Sequence, residues 1–445
     1  MGDSHSCPLP LTSPPATPIA RITHAGKWLL LCALVAILAG SASALFLHAL
    51  DWAGATRASR PWLIFLLPLA GFAVGWVYLK VGREVEAGNN LLIDEIHEPR
   101  QVVPLRMAPL VLGGTVVSHL FGASVGREGT AVQMGGALAD QLTNLFKLDA
   151  RARQVLLMAG ISAGFASVFG TPLAGAIFGL EVLALGRLRL RALLPCLLAA
   201  VMADGVGRWL GVQHTHYPTP GVAPLGAWTL GATIVAGVLF GFTAKLFADT
   251  THLLAGFMKR TIAYAPLRPL LGGIAVALAV WALGTQRHIG LGIPVIVESF
   301  SAQLPPWDAL GKFAFTVVSL GSGFKGGEVT PLFYIGATLG NALAPILQLP
   351  FGMLAALGFV AVFAGAANTP LASTLMAVEL FGGELGLYAG LACLASYLAS
   401  GHTGIYRSQR LGRGKLLRAT DRRGLPEHLR LGELAAYRKR QGGNG

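Results

Sequence analysis

The chain has 445 residues, of which 53% are hydrophobic and only 12% charged, with a mean hydropathy of +0.61. A soluble domain is about one quarter charged, so this composition excludes a soluble globular protein and describes an integral membrane protein with room for roughly ten or more helices of ~20 residues. Much of the net charge of +13 lies at the end, where eleven Arg or Lys between 407 and 440 meet only Asp421, Glu427 and Glu433; the positive-inside rule makes that tail cytoplasmic, and the membrane setting argues against nucleic acid as its partner.

Residues 1–27, rich in Pro, Ser and Thr, lack the short apolar core of a secretory signal and are expected to be a disordered cytoplasmic lead-in. Residues 28–50 predict a spanning helix and 61–79 a second, closed by Lys80 and Arg83. Residues 81–104 turn polar, and Gly88-Asn89-Asn90 breaks regularity before a short helix resumes at Leu91. Apolar character returns over 105–121 and halts at 122–130. After a polar link at 140–153, the apolar run 155–185 is interrupted by Pro172, which predicts two broken helices. Residues 190–210 follow. Residues 212–224, with His214, His216, Tyr217 and three prolines, form a loop joining two halves. The remaining apolar runs are 225–258, 267–283, 310–320, 332–347, 351–367, 371–381 and 385–398. Several are too short to cross a bilayer upright. Short, Gly/Pro-interrupted segments at matching places in two halves mark a transporter built from repeats, with its site at their interface.

The duplication is directly visible. Gly126-Arg127-Glu128-Gly129-Thr130 and Gly326-Gly327-Glu328-Val329-Thr330 share a Gly-x-Glu-x-Thr pattern 200 residues apart. Thr171-Pro172-Leu173-Ala174 precedes Glu181 by ten residues, and Thr369-Pro370-Leu371-Ala372 precedes Glu379 by ten, at an offset of 198. Carboxylates at membrane depth are costly and belong to cavities or ion paths. A helix that starts inside the membrane turns free N–H groups and a partial positive charge toward its start, which suits an anion. A Glu there either fills the anion position when ionised or leaves it when protonated, which makes a gate; the alternative is a plain helix cap. Glu181 and Glu379 are expected to be structural, bonding nearby backbone, or else to face an inner vestibule. Arg127 and Lys325 either raise local anion concentration or snorkel and pair with helix ends.

These motifs, in this order and spacing over roughly residues 28–406, resemble the CLC family of chloride channels and anion/proton exchangers. The departures are specific: Asn89 stands where chloride transporters carry an anion-binding Ser, Thr130 where most members have Pro, and Glu328-Val329-Thr330 where they have Ile-Phe-Ala. That combination resembles the fluoride/proton antiporter branch. The resemblance implies an all-α fold of two inverted-topology helical repeats with broken and tilted helices. It implies gating and proton transfer by Glu128 and Glu328, and an anion path at Asn89, Val329, Thr330 and Tyr406. The inner proton-relay carboxylate of many chloride exchangers falls here on Val182, so that path is not expected. Fluoride is small and strongly hydrated, so it needs short, strong donors; Asn89 offers amide N–H groups and Thr330 an O–H.

The expected organisation is residues 1–27 lead-in, 28–211 first repeat, 212–224 joining loop, 225–406 second repeat and 407–445 basic tail. The expected function is proton-driven export of fluoride from a bacterial cytoplasmic membrane, as a homodimer, with fluoride, protons and lipid as partners. The alternatives are a chloride/proton exchanger or passive chloride channel of the same family, and an intramembrane hydrolase using Glu128 and Glu328 as paired acids. Against a hydrolase, no nucleophile and base accompany those acids, and Ser322 has no His/Asp constellation. The four cysteines, Cys7, Cys32, Cys196 and Cys393, and His119, His288 and His402 show no metal spacing, and no metal or other cofactor is expected.

Overall fold

The computed structural model describes residues 18–186, 188–218, 221–412, 415 and 429–434. The first half comprises α1 (Pro18–Ser59), α2 (Leu67–Val81), α3 (Asn89–His97), α4 (Met107–Leu120), α5 (Glu128–Leu145), α6 (Ala150–Phe169), α7 (Pro172–Glu181) and α8 (Leu193–Trp209). The second comprises α9 (Ala227–Thr261), α10 (Leu267–Leu283), α11 (Ile293–Glu298), α12 (Asp308–Ser322), α13 (Val329–Leu347), α14 (Phe351–Ala367), α15 (Pro370–Phe381) and α16 (Gly386–Ala399). Two-residue strands β1 (Ala184–Leu185) and β2 (Arg410–Leu411) pair in parallel and are the only sheet among the described residues. The chain is thus an all-α membrane protein. Among the described residues, six helices are long and apolar enough to cross a bilayer, and shorter apolar helices such as α4, α7 and α15 fill in between.

The halves correspond helix for helix and run in opposite directions. α1 and α8 advance together: Cys32 Sγ lies 3.5 Å from Pro195 O, and Gly40 packs on Ala203 and Val206. The loop after α8 therefore leaves on the side opposite the start of α1. From there α9, the counterpart of α1, returns alongside α16, with Gly237 on Ala392 and Gly241 on Ser396. Equivalent helices starting on opposite sides are what inverted topology means.

Small residues let these helices touch. A Cβ at Gly336 of α13 would lie 2.0 Å from Gly358 O of α14, and its first-half counterpart, Gly135 of α5, 2.3 Å from Gly160 O of α6. Without a hydrophobic drive between helices in lipid, such backbone contact supplies the packing energy. Aromatic rings cross the seam between halves: Phe169 of α6 packs on Phe333 of α13 with ring centres 5.3 Å apart, and Phe165 on Phe363 of α14 at 6.3 Å. On the inner side, buried Arg153 bonds Asp140 at 2.7 Å and Glu95 at 3.0 Å, tying α3, α5 and α6.

Three features differ from expectation. α1 begins at Pro18, so residues 18–27 are helical and only 1–17 of the expected lead-in lie outside the described residues; Pro opens a helix readily, and Ala, Arg and Lys here are good helix formers. The six-residue α11 was not expected, being too short to show a period. The start of the tail is folded: β2 pairs with β1, and Leu411, Leu429, Leu431 and Leu434 cluster on Leu185.

Candidate functional site

The two glycine–glutamate loops lie against each other. Gly126 N donates to Gly327 O at 2.6 Å and Gly327 N to Gly126 O at 2.8 Å. This reciprocal bridge sets the starts of α5 and α13 face to face across the join of the halves. Glu128, the first residue of α5, is 1% exposed. Its carboxylate reaches across to α13, where Thr330 N donates at 3.0 Å and Thr330 Oγ1 lies 2.5 and 2.7 Å from its two oxygens. Arg127 N donates at 3.2 Å, and Arg127 Nε lies 3.6 Å away. A side chain of the first half thus occupies the N-terminus of a helix of the second, where free N–H groups and the helix dipole favour negative charge. Those donors accept one negative group at a time. A small anion and this carboxylate cannot both hold them.

Glu328 immediately precedes α13 and caps it with no side-chain bond; its Oε2 is buried with no hydrogen-bond partner. Asn89 opens α3, and its Oδ1 is likewise buried and unpartnered. Both lie around Gly129: a Cβ there would meet Asn89 Nδ2 and the Gly327 backbone at 3.1 Å, with Glu328 Oε2 at 3.7 Å. Val329 is buried beside them. Orphaned buried oxygens are costly; here they mark a polar space between two helix starts. Tyr406, after α16, is 3% exposed, and Glu328 and Glu128 are the charges that reach it. The segment before it is pinned by Ile405 N donating to Ala366 O at 2.9 Å. The six sequence-selected residues therefore share one region, five of them around the helix starts and Tyr406 within electrostatic reach of both glutamates.

Thr130 Oγ1 bonds Thr115 Oγ1 at 2.7 Å, anchoring the first turn of α5 to α4. Lys325 lies 3.9 Å from the centre of the Tyr78 ring, a cation–π contact. Glu181 and Glu379 cap each other's helices: Glu181 accepts from Leu371 N and Ala372 N at 3.1 and 2.8 Å, and Glu379 from Leu173 N and Ala174 N at 2.9 and 2.8 Å. Val182 is buried, and its carbonyl accepts from Gln409 Nε2 at 2.9 Å. Sequence reasoning missed Tyr217. This residue of the joining loop packs among Phe300, Phe359 and Phe381, and Arg127 and Glu128 are the charges that reach it. Its only signal was an aromatic in a proline-rich loop.

Residues 70–401 match the family model described as "Voltage gated chloride channel". The chain is 64% identical over 422 residues to the "Chloride/fluoride channel protein" of Pseudomonas syringae pv. tomato, covering 94% of this chain and 92% of that one. It is 28% identical over 383 residues to the "H(+)/Cl(-) exchange transporter ClcA" of Vibrio vulnificus, covering 79% of this chain and 81% of the relative. Among solved structures, that of a CLC-type fluoride/proton antiporter superposes with a TM-score of 0.84 at 36% identity, covering 89% of this chain and 99% of the other. A slow cyanobacterial Cl-/H+ antiporter superposes with a TM-score of 0.73 at 20% identity over 84% of this chain and 94% of its own, a likeness of fold alone. By family and fold this chain belongs to the CLC, or voltage gated chloride channel, family: it is a multi-pass anion transport protein of the membrane and not an enzyme.

Proposed function

We propose that the protein is a fluoride/proton antiporter that uses the proton gradient to export cytoplasmic fluoride. The observation that carries this reading is the Glu128 carboxylate lying on Thr330 N and Oγ1 at the start of α13. Ionised, Glu128 holds the donors. When a proton neutralises it, its hold weakens and a fluoride ion takes its place, so anion and proton move in exchange. The hydroxyl and backbone donors of Thr330 and the amide of Asn89 suit a small, strongly hydrated ion, because they replace lost water with short bonds. Glu328, adjoining the same space, is the second proton carrier in this reading, since a fixed negative charge there would repel the anion. Val329 and Tyr406 complete the anion path. Support for fluoride comes from the 64% identical "Chloride/fluoride channel protein" and from the 36% identical CLC-type fluoride/proton antiporter structure.

The same reading takes the chain to be a homodimer in a bacterial cytoplasmic membrane. This follows from the resemblance to the family and from the bacterial source of the 64% relative. A second reading, a channel passing chloride as well as fluoride, has that relative's name in its favour. Proteoliposomes separate the two. The antiporter is expected to move fluoride far faster than chloride and to pump it uphill when only a pH gradient is imposed, and Glu128→Gln is expected to abolish that pumping. Chloride efflux as fast as fluoride, or uphill pumping retained by Glu128→Gln, refutes the proposal.

A further inference from the structure

Away from the transport site, a cavity of about 640 Å³ opens between the end of α3, the first turns of α6, Ala184, residues 188–191 and β2. His97, Arg151, Gln154, Arg189, Arg191 and Arg410 supply its polar lining, and Val155, Met158 and Leu188 its apolar part. Four arginines from three separate segments line it, and among the described residues lining it there is no Asp or Glu. Asp94 and Glu98 hold Arg410, at 3.5 and 2.7 Å, but do not line the cavity themselves.

The cavity sits at the inner membrane–water boundary. Leu156, one turn beyond Arg151 on α6, packs in one cluster with Leu31 and Cys32 near the cytoplasmic start of α1. Leu190 and Leu194, each 64% exposed, continue from the cavity edge onto the start of α8. Cations concentrated at such a place attract an anion, and planar guanidinium forks match a phosphate group by paired hydrogen bonds. The volume exceeds what a halide fills, and the mixed lining suits a phosphate carried on an organic stem.

We propose that this cavity binds a phosphate ester, taken either from the headgroup of an anionic phospholipid of the inner leaflet or from a soluble cytoplasmic phosphate ester. Its position beside exposed leucines favours the lipid source. A bound phosphate bridges Arg410 of β2 to Arg151 of α6 and Arg191 before α8, and so ties the tail strand to the membrane body.

The test titrates the full-length protein, in uncharged detergent, with dioctanoyl phosphatidylglycerol, dioctanoyl phosphatidylcholine and glycerol 3-phosphate. Arg151 and Arg191 are both exposed, so Arg151→Gln/Arg191→Gln is expected to leave melting temperature and fluoride efflux unchanged. It is expected to weaken phosphatidylglycerol binding by about thirtyfold, the loss appropriate to two basic side chains at an anionic lipid surface. Phosphatidylcholine is expected not to bind. Lys259→Gln/Arg260→Gln, which removes equal charge from the exposed inner end of α9, is expected to change nothing. Binding of glycerol 3-phosphate alone, lost in the Arg151/Arg191 variant, supports the site and assigns the soluble source. Absence of binding by both phosphates, or equal weakening by the Lys259/Arg260 control, overturns the proposal.

Discussion

At the scale of single residues, the proposed mechanism is a contest between negative groups for a few donors. Thr330 contributes two of them, one from the backbone and one from its hydroxyl. Thr330→Val keeps size and N–H but removes the O–H. A hydrogen bond to a charged group is worth about 1.5–3 kcal/mol, so fluoride affinity is expected to fall by roughly ten- to a hundredfold, measured by titration of the purified protein. Unchanged affinity would remove the hydroxyl from the anion path. Glu328 tests the proton side. In Glu328→Gln the charge is gone at nearly constant shape, and proton flux driven by a fluoride gradient in liposomes is expected to drop sharply; undiminished coupling rejects Glu328 as a carrier. Gly-x-Glu-x-Thr identified these residues because a carboxylate among glycines is out of place in so apolar a chain. The pattern did not reveal which partner each carboxylate takes, since Glu128 reaches beyond its neighbour Arg127 N to bond Thr330 of the other half.

At the scale of elements, short broken helices are held by what stands at their ends and where their backbones cross. The exchanged caps of α7 and α15 explain the conserved ten-residue spacing within this one chain: in antiparallel neighbours, that length brings each Glu to the first free N–H groups of the other. The α13–α14 crossing depends on Gly336 lying on Gly358 O. Gly336→Ala forces a Cβ into a carbonyl and is expected to cost about 1–3 kcal/mol or more, read as a melting temperature several degrees lower in detergent. Gly231→Ala in α9, where a Cβ meets nothing within 4 Å, is expected to be neutral or mildly stabilising by helix propensity. Equal melting temperatures for both variants would contradict the crossing. α11, at six residues, is too short for periodicity to reveal it, which is why the sequence did not disclose it.

At the scale of the molecule, inverted topology dictates which surfaces meet which compartment. His216 in the joining loop and Arg151 at the start of α6 are both exposed and are expected on opposite sides. Cys32, Cys196 and Cys393 are buried, so a Cys7→Ser background suits labelling of intact cells. A membrane-impermeant maleimide is expected to modify His216→Cys directly and Arg151→Cys only after permeabilisation. The reverse pattern would invert the orientation and the direction of transport. Two halves facing opposite ways also explain the site's place: only at their seam do two helix starts approach from opposite sides within hydrogen-bond reach.

By itself the sequence determined the membrane class, the duplication and the candidate carboxylates, because hydropathy, internal offset and misplaced charge are properties of the chain read along its length. The tertiary structure decided the partners: Glu128 with Thr330, Glu181 with the start of α15, Tyr217 with Phe300, Phe359 and Phe381, and four arginines around one cavity. Those pairings join residues tens to hundreds of positions apart, and folding alone converts such separations into distances of a few ångströms.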